Sequence, residues 1–409
     1  MKPETAAPET KPSTHAGDGF FQSVGIVSGA VAASRLTGLV RESILGWLFG
    51  AGATFDAYSV GYRVANLARD LFAEGALSSA FVPTFTRYLT TKTRAEAREL
   101  SNITATLLIV IVGVLCALGM LFSSAMVELF APGFHAVPGK FELATQMVRT
   151  MFPFLLLVAA AAQAQGILFA CRQFGVPAFS SSLFNIGSIV FGLVLGYWLG
   201  PRIGVSAAQG MAYGILFGGV AQLGFQLPAV WREGFAFRPQ WNLHHPGVRH
   251  ILRLMGPAIL GSAALQINLL VNTNIAAGLR DDAGQIMNGP VSWLSYAFRF
   301  MQLPMGLFGV SIAAATLPRI SQSAAERNFP EFRETLSRSL VTVLLLTIPS
   351  SVGLLLLGES MIGIVYQHGR FLAADTHQTG IALSFYALGL AGYAAVKLLA
   401  PAFYALGDA

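Results

Sequence analysis

Residues 101–122 read SNITATLLIVIVGVLCALGMLF and contain no charged side chain. A helix of this length can cross about 30 Å of hydrocarbon, since it rises about 1.5 Å per residue. Nine other stretches of the 409-residue chain have a similar length and apolar character. We therefore predict ten membrane spans, over residues 22–50, 55–86, 101–131, 145–171, 177–199, 207–231, 254–279, 290–318, 336–358 and 378–404.

The composition excludes an ordinary soluble protein. Only 11% of the residues are Asp, Glu, Lys or Arg, whereas an average globular protein has about 25%. Open sheet edges are not viable in lipid, and the apolar runs are too continuous for the alternating pattern of a membrane barrel. The predicted fold class is therefore an all-α polytopic membrane protein.

The basic residues indicate an orientation in the membrane rather than a nucleic-acid surface. The chain has a net charge of +6, but its lysines and arginines are spread between apolar runs. Thirteen lie in the loops after spans two, four, six and eight, and only four lie in the alternate loops: Lys140, Arg202, Arg280 and Arg370. By the positive-inside rule, the amino terminus is predicted to be cytoplasmic.

Two further features concern the tail and the cysteines. Residues 1–19 contain three prolines and no apolar run, so they are predicted to be a disordered cytoplasmic tail and not a signal peptide. Cys116 and Cys171 lie in apolar runs and are predicted to be packing residues, because two such cysteines make neither a disulfide framework nor a metal site.

An internal repeat predicts the organisation of the spans. Three motifs recur at an offset of about 236 residues: Tyr62-Arg63 as Phe298-Arg299, Ala80–Pro83 as Ala315–Pro318, and Phe130–Phe134 as Tyr366–Arg370. Such repeats predict two pseudo-symmetric helical lobes around a central cavity, as in many secondary transporters. The N-terminal lobe would cover residues 20–240 with helices one to six. The C-terminal lobe would cover residues 241–409 with helices seven to ten, and we expect it to be incomplete.

Three spans contain ionisable residues, although a charge at mid-bilayer costs roughly 2.5–3.5 kcal/mol. They are Arg35, Arg41 and Glu42 in span one, Asp56, Arg63, Arg69, Asp70 and Glu74 in span two, and Arg299 in span eight. If these side chains faced lipid, they would oppose insertion of the helices into the membrane. We therefore expect them to face one another, a water-filled cavity or a charged ligand.

Helical periodicity groups many of these residues on common faces. Within span two, a single stripe about 80° wide contains Asp56, Ser59, Arg63, Asn66, Asp70 and Glu74. Such a stripe is typical of a cavity wall, and Arg69 falls outside it in a straight helix. One face of span eight contains Ser292, Ser295, Arg299 and Gln302. Both lobes are therefore predicted to offer arginine to the space between them.

Three interpretations of these charges remain open. The first is that interhelical pairs, such as Arg41 with Asp56, only lock the helices together. The second is an anionic, phosphate-bearing ligand, which the surplus of arginine favours because guanidinium binds phosphate oxygens bidentately. The third, a membrane enzyme, has least support, because the histidines and the Asp281-Asp282 pair do not form a site with metal-ligand spacing.

The charged residues belong to a recognisable block of motifs. It contains SRLTGLVRE at residues 34–42, then Phe49–Gly52, Asp56-Ala57, Asn66-Leu67, Phe72–Ala76 and Ala80–Pro83. The pattern continues with Gly256–Leu260, Arg299 and Ala400–Tyr404. Over about residues 22–409, this combination resembles the MurJ (MviN) family of lipid II flippases.

The resemblance implies a fourteen-helix transporter of the multidrug/oligosaccharidyl-lipid/polysaccharide exporter superfamily, not an enzyme, with ten helices present here. Such proteins move lipid II, the undecaprenyl-diphosphate-linked peptidoglycan precursor, from the cytoplasmic to the periplasmic leaflet by alternating access. The implied location is the bacterial cytoplasmic (inner) membrane. The implied partners are lipid II, bilayer lipids and peptidoglycan synthesis enzymes, without nucleic acid. Two alternatives stay open: a flippase for another polyprenyl-linked saccharide, such as an O-antigen unit, and a non-transporting scaffold for cell-wall synthesis.

The resemblance also assigns site residues. The family's substrate-binding arginines match Arg35, Arg41, Arg69 and Arg299, and its acidic partners match Glu42, Asp56 and Glu74. As supporting cavity residues we add Arg63, Asn66, Asp70 and Ser295.

Two departures from the family concern the second lobe. Some relatives have acidic residues where this chain has Phe298 and Gln302. Sodium-linked relatives have a span-seven carboxylate where this chain reads Asn272-Thr273-Asn274, so the resemblance carries over no sodium site. We expect no cofactor and leave the metal open. The membrane potential is expected to assist export of an anion.

Overall fold

The computed structural model describes residues 15–69 and 77–406. Most of the predicted tail, residues 1–14, lies outside these ranges, and so do Asp70 and Glu74 of the predicted stripe. The first helix begins at His15, so residues 15–19 of the predicted tail belong to a helix.

The described residues form α-helices and no β-strand, apart from one isolated bridge between Arg280 and Ile286. In chain order the helices are α1 His15–Phe49, α2 Ala53–Ala68, α3 Ser78–Thr91, α4 Arg94–Leu121, α5 Ser123–Phe130, α6 Lys140–Met151, α7 Phe154–Ala170, α8 Gly175–Leu193, α9 Gly200–Ile203, α10 Ala207–Arg232, α11 Pro246–Ala277, α12 Pro290–Pro304, α13 Ser311–Ala325, α14 Phe329–Tyr366 and α15 Ala373–Ala405. A 3₁₀ turn covers Pro132–Ala136, and π-helical turns cover Val194–Trp198 and Met305–Val310. The prediction of an all-α fold is confirmed.

Seven helical stretches in the described ranges are long and apolar enough to cross a membrane. They are Arg94–Leu121, Lys140–Ala170, Gly175–Trp198, Ala207–Arg232, Pro290–Ala324, Phe329–Tyr366 and Ala373–Phe403. Each coincides with one of the ten predicted spans. The other three predicted spans correspond to α1, to α2 with α3, and to α11. The count of ten spans therefore stays a prediction.

Polar side chains cap the N-termini of two long apolar helices. At the start of α4, Glu96 N–H donates to Thr93 Oγ1 at 3.2 Å, and Thr93 N–H donates to Glu96 Oε2 at 2.9 Å. At the start of α10, Gln209 N–H donates to Ser206 Oγ at 3.2 Å, and Ser206 N–H donates to Gln209 Oε1 at 3.0 Å. These reciprocal bonds satisfy backbone N–H groups that have no partner within the helix.

Small residues bring α8 and α10 into backbone contact. A Cβ on Gly210 would lie 2.2 Å from Gly196 Cα, and one on Gly214 would lie 2.4 Å from Ser188 O. Gly218 continues the same face, because its Cβ would lie 2.6 Å from Phe184 O. In lipid, where apolar burial does not drive helices together, such close packing stabilises the bundle. The packing against α10 holds α8 in place, and α8 in turn lies against α1.

The first half of the chain (α1–α10) and the second half (α11–α15) meet closely at the end where α1 stops. The Arg370 N–H donates to Trp47 O at 3.1 Å. Gly50 has a φ of +63°, and a Cβ there would lie 2.3 Å from Arg370 O, so glycine is required. Tyr296 stacks on Phe55 with ring centroids 4.6 Å apart. This end of the interface is therefore closed by packed backbone and rings.

Candidate functional site

Helix α8 fixes the face that α1 presents to the second half. Asn185 Nδ2 donates to Ser34 O at 3.1 Å and to Thr37 Oγ1 at 3.3 Å. Thr37 Oγ1 also donates to Ala33 O, one turn earlier in α1, at 2.9 Å. These contacts hold the segment that contains Arg35, Arg41 and Glu42 in a defined rotation.

Two arginines from opposite halves of the chain share one carboxylate oxygen. Arg41 Nη2 of α1 donates to Glu42 Oε1 at 3.0 Å, and Arg299 Nη2 of α12 donates to the same oxygen at 2.7 Å. The Glu42 side chain is 12% exposed and that of Arg299 is 31% exposed. The structure thus brings together three of the predicted site residues at the interface of the halves.

The guanidinium of Arg41 is buried but only partly bonded. Its Nη2 also donates to Tyr62 Oη at 3.3 Å, and its carbon Cζ lies 5.0 Å from the Tyr62 ring centroid and 5.5 Å from that of Phe184. Neither Nε nor Nη1 has a hydrogen-bond partner in the part of the chain that the structure describes. Buried charged N–H groups without acceptors are costly, so these two nitrogens are the unsatisfied donors of the group.

Arg35 joins the same group of residues through Gln302. Arg35 Nη1 donates to the backbone oxygen of Gln302 at 3.5 Å, and Arg299 Nη1 donates to Gln302 Oε1 at 3.5 Å. Gly306 leaves room for Arg35, since a Cβ there would lie 2.3 Å from Arg35 Nη2. We call Arg35, Arg41, Glu42, Arg299 and Gln302 the arginine cluster. Its three guanidinium groups and one carboxylate carry a formal charge of +2.

Arg63 bridges the halves without a carboxylate. Its Nη1 donates to Thr273 Oγ1 of α11 at 2.7 Å, and its Nη2 donates to Ser295 Oγ of α12 at 2.7 Å and to Val291 O at 3.4 Å. Neutral oxygens therefore satisfy this cation. Arg63 and Ser295, both predicted as supporting residues, are therefore in contact. Arg63 also binds Thr273, which belongs to the Asn272–Asn274 segment.

Asp56 lies in a separate, fully bonded cluster. Its carboxylate accepts hydrogen bonds from Lys140 Nζ at 2.7 Å, from Gly289 N–H at 2.8 Å, from Ser292 N–H at 2.9 Å and from Ser292 Oγ at 2.5 Å. The ammonium of Lys140 also donates to Asn288 Oδ1 at 3.0 Å. Asp56 is 0% exposed and Lys140 is 2% exposed. We call Asp56, Lys140, Asn288, Gly289 and Ser292 the Asp56 cluster.

The Asp56 cluster corrects two expectations. The pairing of Arg41 with Asp56, one of the alternatives left open, is not formed, because Arg41 binds Glu42 and Asp56 binds Lys140. Lys140, counted among the residues of an outward loop, is instead the first residue of α6 and is buried. Asp56 accepts from the N-terminal N–H groups of α12, where helix geometry favours a negative charge.

The remaining predicted residues lie at the other end of α2. Asn66 is partly buried, and its Oδ1 has no hydrogen-bond partner among the described residues. Arg69 directly follows α2, where its N–H donates to Ala65 O and Asn66 O. Asp70 and Glu74 lie outside the described ranges. In those ranges, no group of three His, Cys, Asp or Glu side chains could hold a metal ion.

Several residues in or beside these clusters were not predicted as site residues, among them Lys140, Tyr62 and Phe184. Lys140 lies just before the apolar run of span four. The feature of the sequence that could have indicated its role is a lysine directly after Gly139, at the start of a helix. Tyr62 and Phe184 flank Arg41 with their rings, and no sequence pattern distinguishes them from other apolar residues of α2 and α8.

Comparisons with known proteins agree on one family. The family model of the lipid II flippase MurJ matches residues 46–409. The "Probable lipid II flippase MurJ" of Vibrio cholerae is 34% identical over 390 residues, which cover 94% of this chain and 72% of the relative. The "Lipid II flippase MurJ" of Burkholderia cenocepacia is 33% identical over 393 residues, which cover 95% of this chain and 74% of the relative.

Solved structures show the same fold. The structure "Lipid II flippase MurJ, inward closed conformation" matches with a TM-score of 0.76 and 27% identity, over 93% of this chain and 76% of that chain. An inward-facing MATE family transporter of the MOP superfamily matches with a TM-score of 0.73 and 17% identity, over 92% of this chain and 81% of that chain. The latter likeness concerns the fold alone. This multi-pass membrane chain belongs to the MurJ family of lipid II flippases.

Proposed function

We propose that this chain moves lipid II, or a closely related polyprenyl-diphosphate-linked precursor, from the cytoplasmic to the periplasmic leaflet of the bacterial cytoplasmic membrane. The relatives it matches over more than nine-tenths of its length are named lipid II flippases. Their family is one of transporters and not of enzymes. The proposal accordingly requires no covalent step from the protein.

The observation that carries the proposal is the charge of the arginine cluster. Two guanidinium groups from opposite halves share the single carboxylate of Glu42, and Arg35 adds a third cation. Nε and Nη1 of Arg41 make no hydrogen bond within the described residues, so they can donate to an anion. A diphosphate offers several anionic oxygens, which guanidinium binds in charge-assisted, often bidentate hydrogen bonds. We infer that the diphosphate binds Arg35, Arg41 and Arg299, with Arg69 as a further contact.

Such binding would couple the ligand to the conformation of the protein. An anion held by Arg35 and Arg41 of α1 and by Arg299 of α12 attracts both halves, so it favours the state in which they lie close together. A ligand changes a conformational equilibrium only through such differential binding. In this scheme the prenyl tail stays in lipid while the diphosphate crosses along the interface between the halves.

The architecture proposed for this transport has two lobes, residues 20–240 and 241–409, with ten spans of an expected fourteen and a cytoplasmic amino terminus. The distribution of basic residues between alternate loops, thirteen to three once the buried Lys140 is left out, supports this orientation. The end of the interface where α1 stops, with the Asp56 cluster, would then be periplasmic. Its packed contacts support an assignment of the present state as closed on the periplasmic side.

For coupling we propose the membrane potential and no cofactor. An interior-negative potential assists outward movement of an anion by about 2.3 kcal/mol per charge per 100 mV. A sodium site at Asn272–Asn274 is not proposed, because Thr273 binds Arg63 and Asn272 Nδ2 donates to Asn268 Oδ1 at 2.9 Å. Bilayer lipids are the other proposed contacts, and partnership with peptidoglycan synthesis enzymes stays a prediction.

A cell-based test separates this function from a scaffold role. We expect the chain to support growth of bacteria depleted of their own lipid II flippase, and we expect Arg41→Ala and Arg299→Ala to abolish that support while the proteins still insert in the membrane. The matched control is Arg338→Ala, whose side chain is 79% exposed and pairs with Glu334. Normal growth with both cluster variants would overturn the arginine site and favour a scaffold.

A further inference from the structure

A cavity of about 350 Å³ lies inside the first half, between α3, α7, α8 and α10. Its polar lining consists of Gln165 of α7, Ser181 of α8 and Gln222 of α10, and Phe169 of α7 contributes a ring. Within residues 15–69 and 77–406, no charged side chain lines it. The volume is in the range of pockets for small molecules, about 300–1,000 Å³.

The three polar side chains of this cavity are available for a ligand. Neighbouring glutamines on the same helices are engaged: Gln163 Nε2 donates to Ser101 O at 2.9 Å, and Gln226 Nε2 donates to Ser180 Oγ at 2.9 Å. In the described part of the chain, the side chains of Gln165, Ser181 and Gln222 have no hydrogen bond of this kind. All three side chains are partly exposed, so their polar atoms can reach a molecule in the cavity.

Buried acceptors lie next to this lining. Gln226 is 0% exposed, one turn beyond Gln222 on α10, and its Oε1 has no partner among the described residues. Ser182, directly after Ser181, is 6% exposed, and its Oγ is likewise unbonded within the described ranges. Three helices therefore contribute amide and hydroxyl groups to one uncharged region.

The chemistry of the lining fits a neutral sugar. Amide and hydroxyl side chains both donate and accept hydrogen bonds, which matches the hydroxyl and acetamido groups of a saccharide. An aromatic ring such as Phe169 offers an apolar surface to the C–H face of a pyranose. Among the lining residues that the structure describes, neither a phosphate nor a cation would find a counter-charge. The cavity therefore selects against charged ligands and for polar, uncharged ones.

The position of the cavity connects it to the arginine cluster. Ser181 lies one turn before Asn185 on α8, and Asn185 Nδ2 donates to Ser181 O at 3.3 Å as well as to Ser34 O, next to Arg35. Phe184 of the same helix contacts Arg41. One helical turn is about 5.4 Å. The cavity and the arginine cluster therefore adjoin the same segment of α8, about one helical turn apart along it.

We propose that this cavity is a binding subsite for a neutral saccharide of the lipid-linked substrate, adjoining the diphosphate site. The inference rests on the proposed function and deepens it, since it gives the first half a role in recognising the head group. It also assigns Gln165, Ser181 and Gln222 as specificity-determining residues. Under the proposed orientation the cavity lies toward the cytoplasmic end, because α7 and α10 end there with Arg172 and Arg232.

The test compares two lipids that differ in the saccharide. The 409-residue chain in nanodiscs is titrated with lipid II and with undecaprenyl diphosphate, which lacks the saccharide. We expect the double variant Gln165→Leu/Gln222→Leu to bind lipid II about tenfold more weakly, as expected for two lost hydrogen bonds. Its affinity for undecaprenyl diphosphate should equal that of the unmodified chain. The control is Gln378→Leu in α15, another partly buried glutamine, which should change neither affinity.

The remaining outcomes distinguish a failure of the cavity from a failure of the diphosphate site. If the double variant binds lipid II as tightly as the unmodified chain, or loses affinity for both lipids equally, the cavity holds only water or supports packing. If the unmodified chain binds neither lipid, the diphosphate site itself is refuted. If Arg41→Ala abolishes binding of undecaprenyl diphosphate and the glutamine double variant does not, the diphosphate site and the saccharide cavity are two separate sites, as proposed.

Discussion

The Asp56 cluster and the arginine cluster are both groups of charges between the two halves of the chain, yet their burial and their balance differ: Asp56 and Lys140 are fully buried, whereas Arg35 is exposed and Arg299 is 31% exposed. In the Asp56 cluster one carboxylate accepts four hydrogen bonds and meets one ammonium. In the arginine cluster one carboxylate serves two guanidinium groups, a third guanidinium lies nearby, and two nitrogens of Arg41 stay unbonded.

We interpret this difference as one between a structural contact and the proposed binding site. Buried charges that satisfy one another leave nothing for a ligand, and their removal mainly destabilises the fold. A surplus of cation that solvent reaches is stable without an internal partner and can bind an anion, so its removal is expected mainly to weaken binding. The same element, α12, contributes to both clusters, with its N-terminus at Asp56 and with Arg299 at Glu42. Rigid attachment at one end positions the arginine at the other.

The largest expected effect is the loss of stability in Asp56→Ala. This change leaves the Lys140 ammonium buried without its carboxylate, and it leaves the Gly289 and Ser292 N–H groups without an acceptor. We expect unfolding to become easier by about 3–5 kcal/mol, measured as a lower Tm in detergent.

The double variant Asp56→Ala/Lys140→Met controls for this effect. It removes both charges and should recover most of the lost stability, because a buried pair can be replaced by apolar groups with little penalty. A Tm for Asp56→Ala equal to that of the unmodified chain would contradict the structural role of this cluster.

A smaller effect, on binding rather than stability, is expected for Arg299→Lys. Lysine keeps the charge but loses the planar fork that reaches Glu42, Gln302 and a phosphate together. We expect about a tenfold weaker affinity for undecaprenyl diphosphate with a nearly unchanged Tm. Equal affinities for the two proteins would indicate that Arg299 acts only as a point charge.

Glu42→Gln is expected to change the affinity for the lipid diphosphate in the opposite direction, toward tighter binding. The substitution keeps the shape of the side chain but removes the one internal anion that competes with the ligand. We expect the affinity for undecaprenyl diphosphate to rise by about threefold to tenfold, together with a lower Tm in the absence of ligand. A weaker affinity would show that Glu42 positions the arginines more than it competes for them.

The smallest effect is expected for Arg338→Ala. Arg338 pairs with Glu334 on the surface of α14, and both side chains are well exposed, at 79% and 60%. Such a pair contributes about 0–1 kcal/mol. We expect no measurable change in Tm or in lipid binding, and a clear loss of either would mean that α14 contacts the ligand or a partner.

The apolar spans could be predicted from sequence because lipid requires continuous runs of apolar side chains. Seven of the ten predicted spans match long apolar helices, whereas α1, α2 and α11 interrupt their runs with the polar residues that build the interface. The sequence also predicted that Arg41, Glu42 and Arg299 belong together, through helical periodicity and the family resemblance.

The pairing of individual charges could not be predicted. Periodicity describes one helix at a time, while Lys140 and Asp56 lie 84 positions apart in the chain. The positive-inside count treated Lys140 as a loop residue because it considers only the basic residues between predicted spans, and span four was predicted to begin at residue 145. The unbonded nitrogens of Arg41 and the cavity between Gln165, Ser181 and Gln222 depend on side chains from several helices, so they require coordinates.

The most direct test of the central claim is the contribution of the diphosphate to binding. The affinity of the chain for undecaprenyl diphosphate is compared with that for undecaprenol in nanodiscs. We predict a ratio of at least about a hundred, because two or more charge-assisted hydrogen bonds contribute about 1.5–3 kcal/mol each. In Arg41→Ala/Arg299→Ala this ratio should fall to near one. A double variant that retains the ratio of the unmodified chain would contradict the claim that arginines from both halves bind the diphosphate.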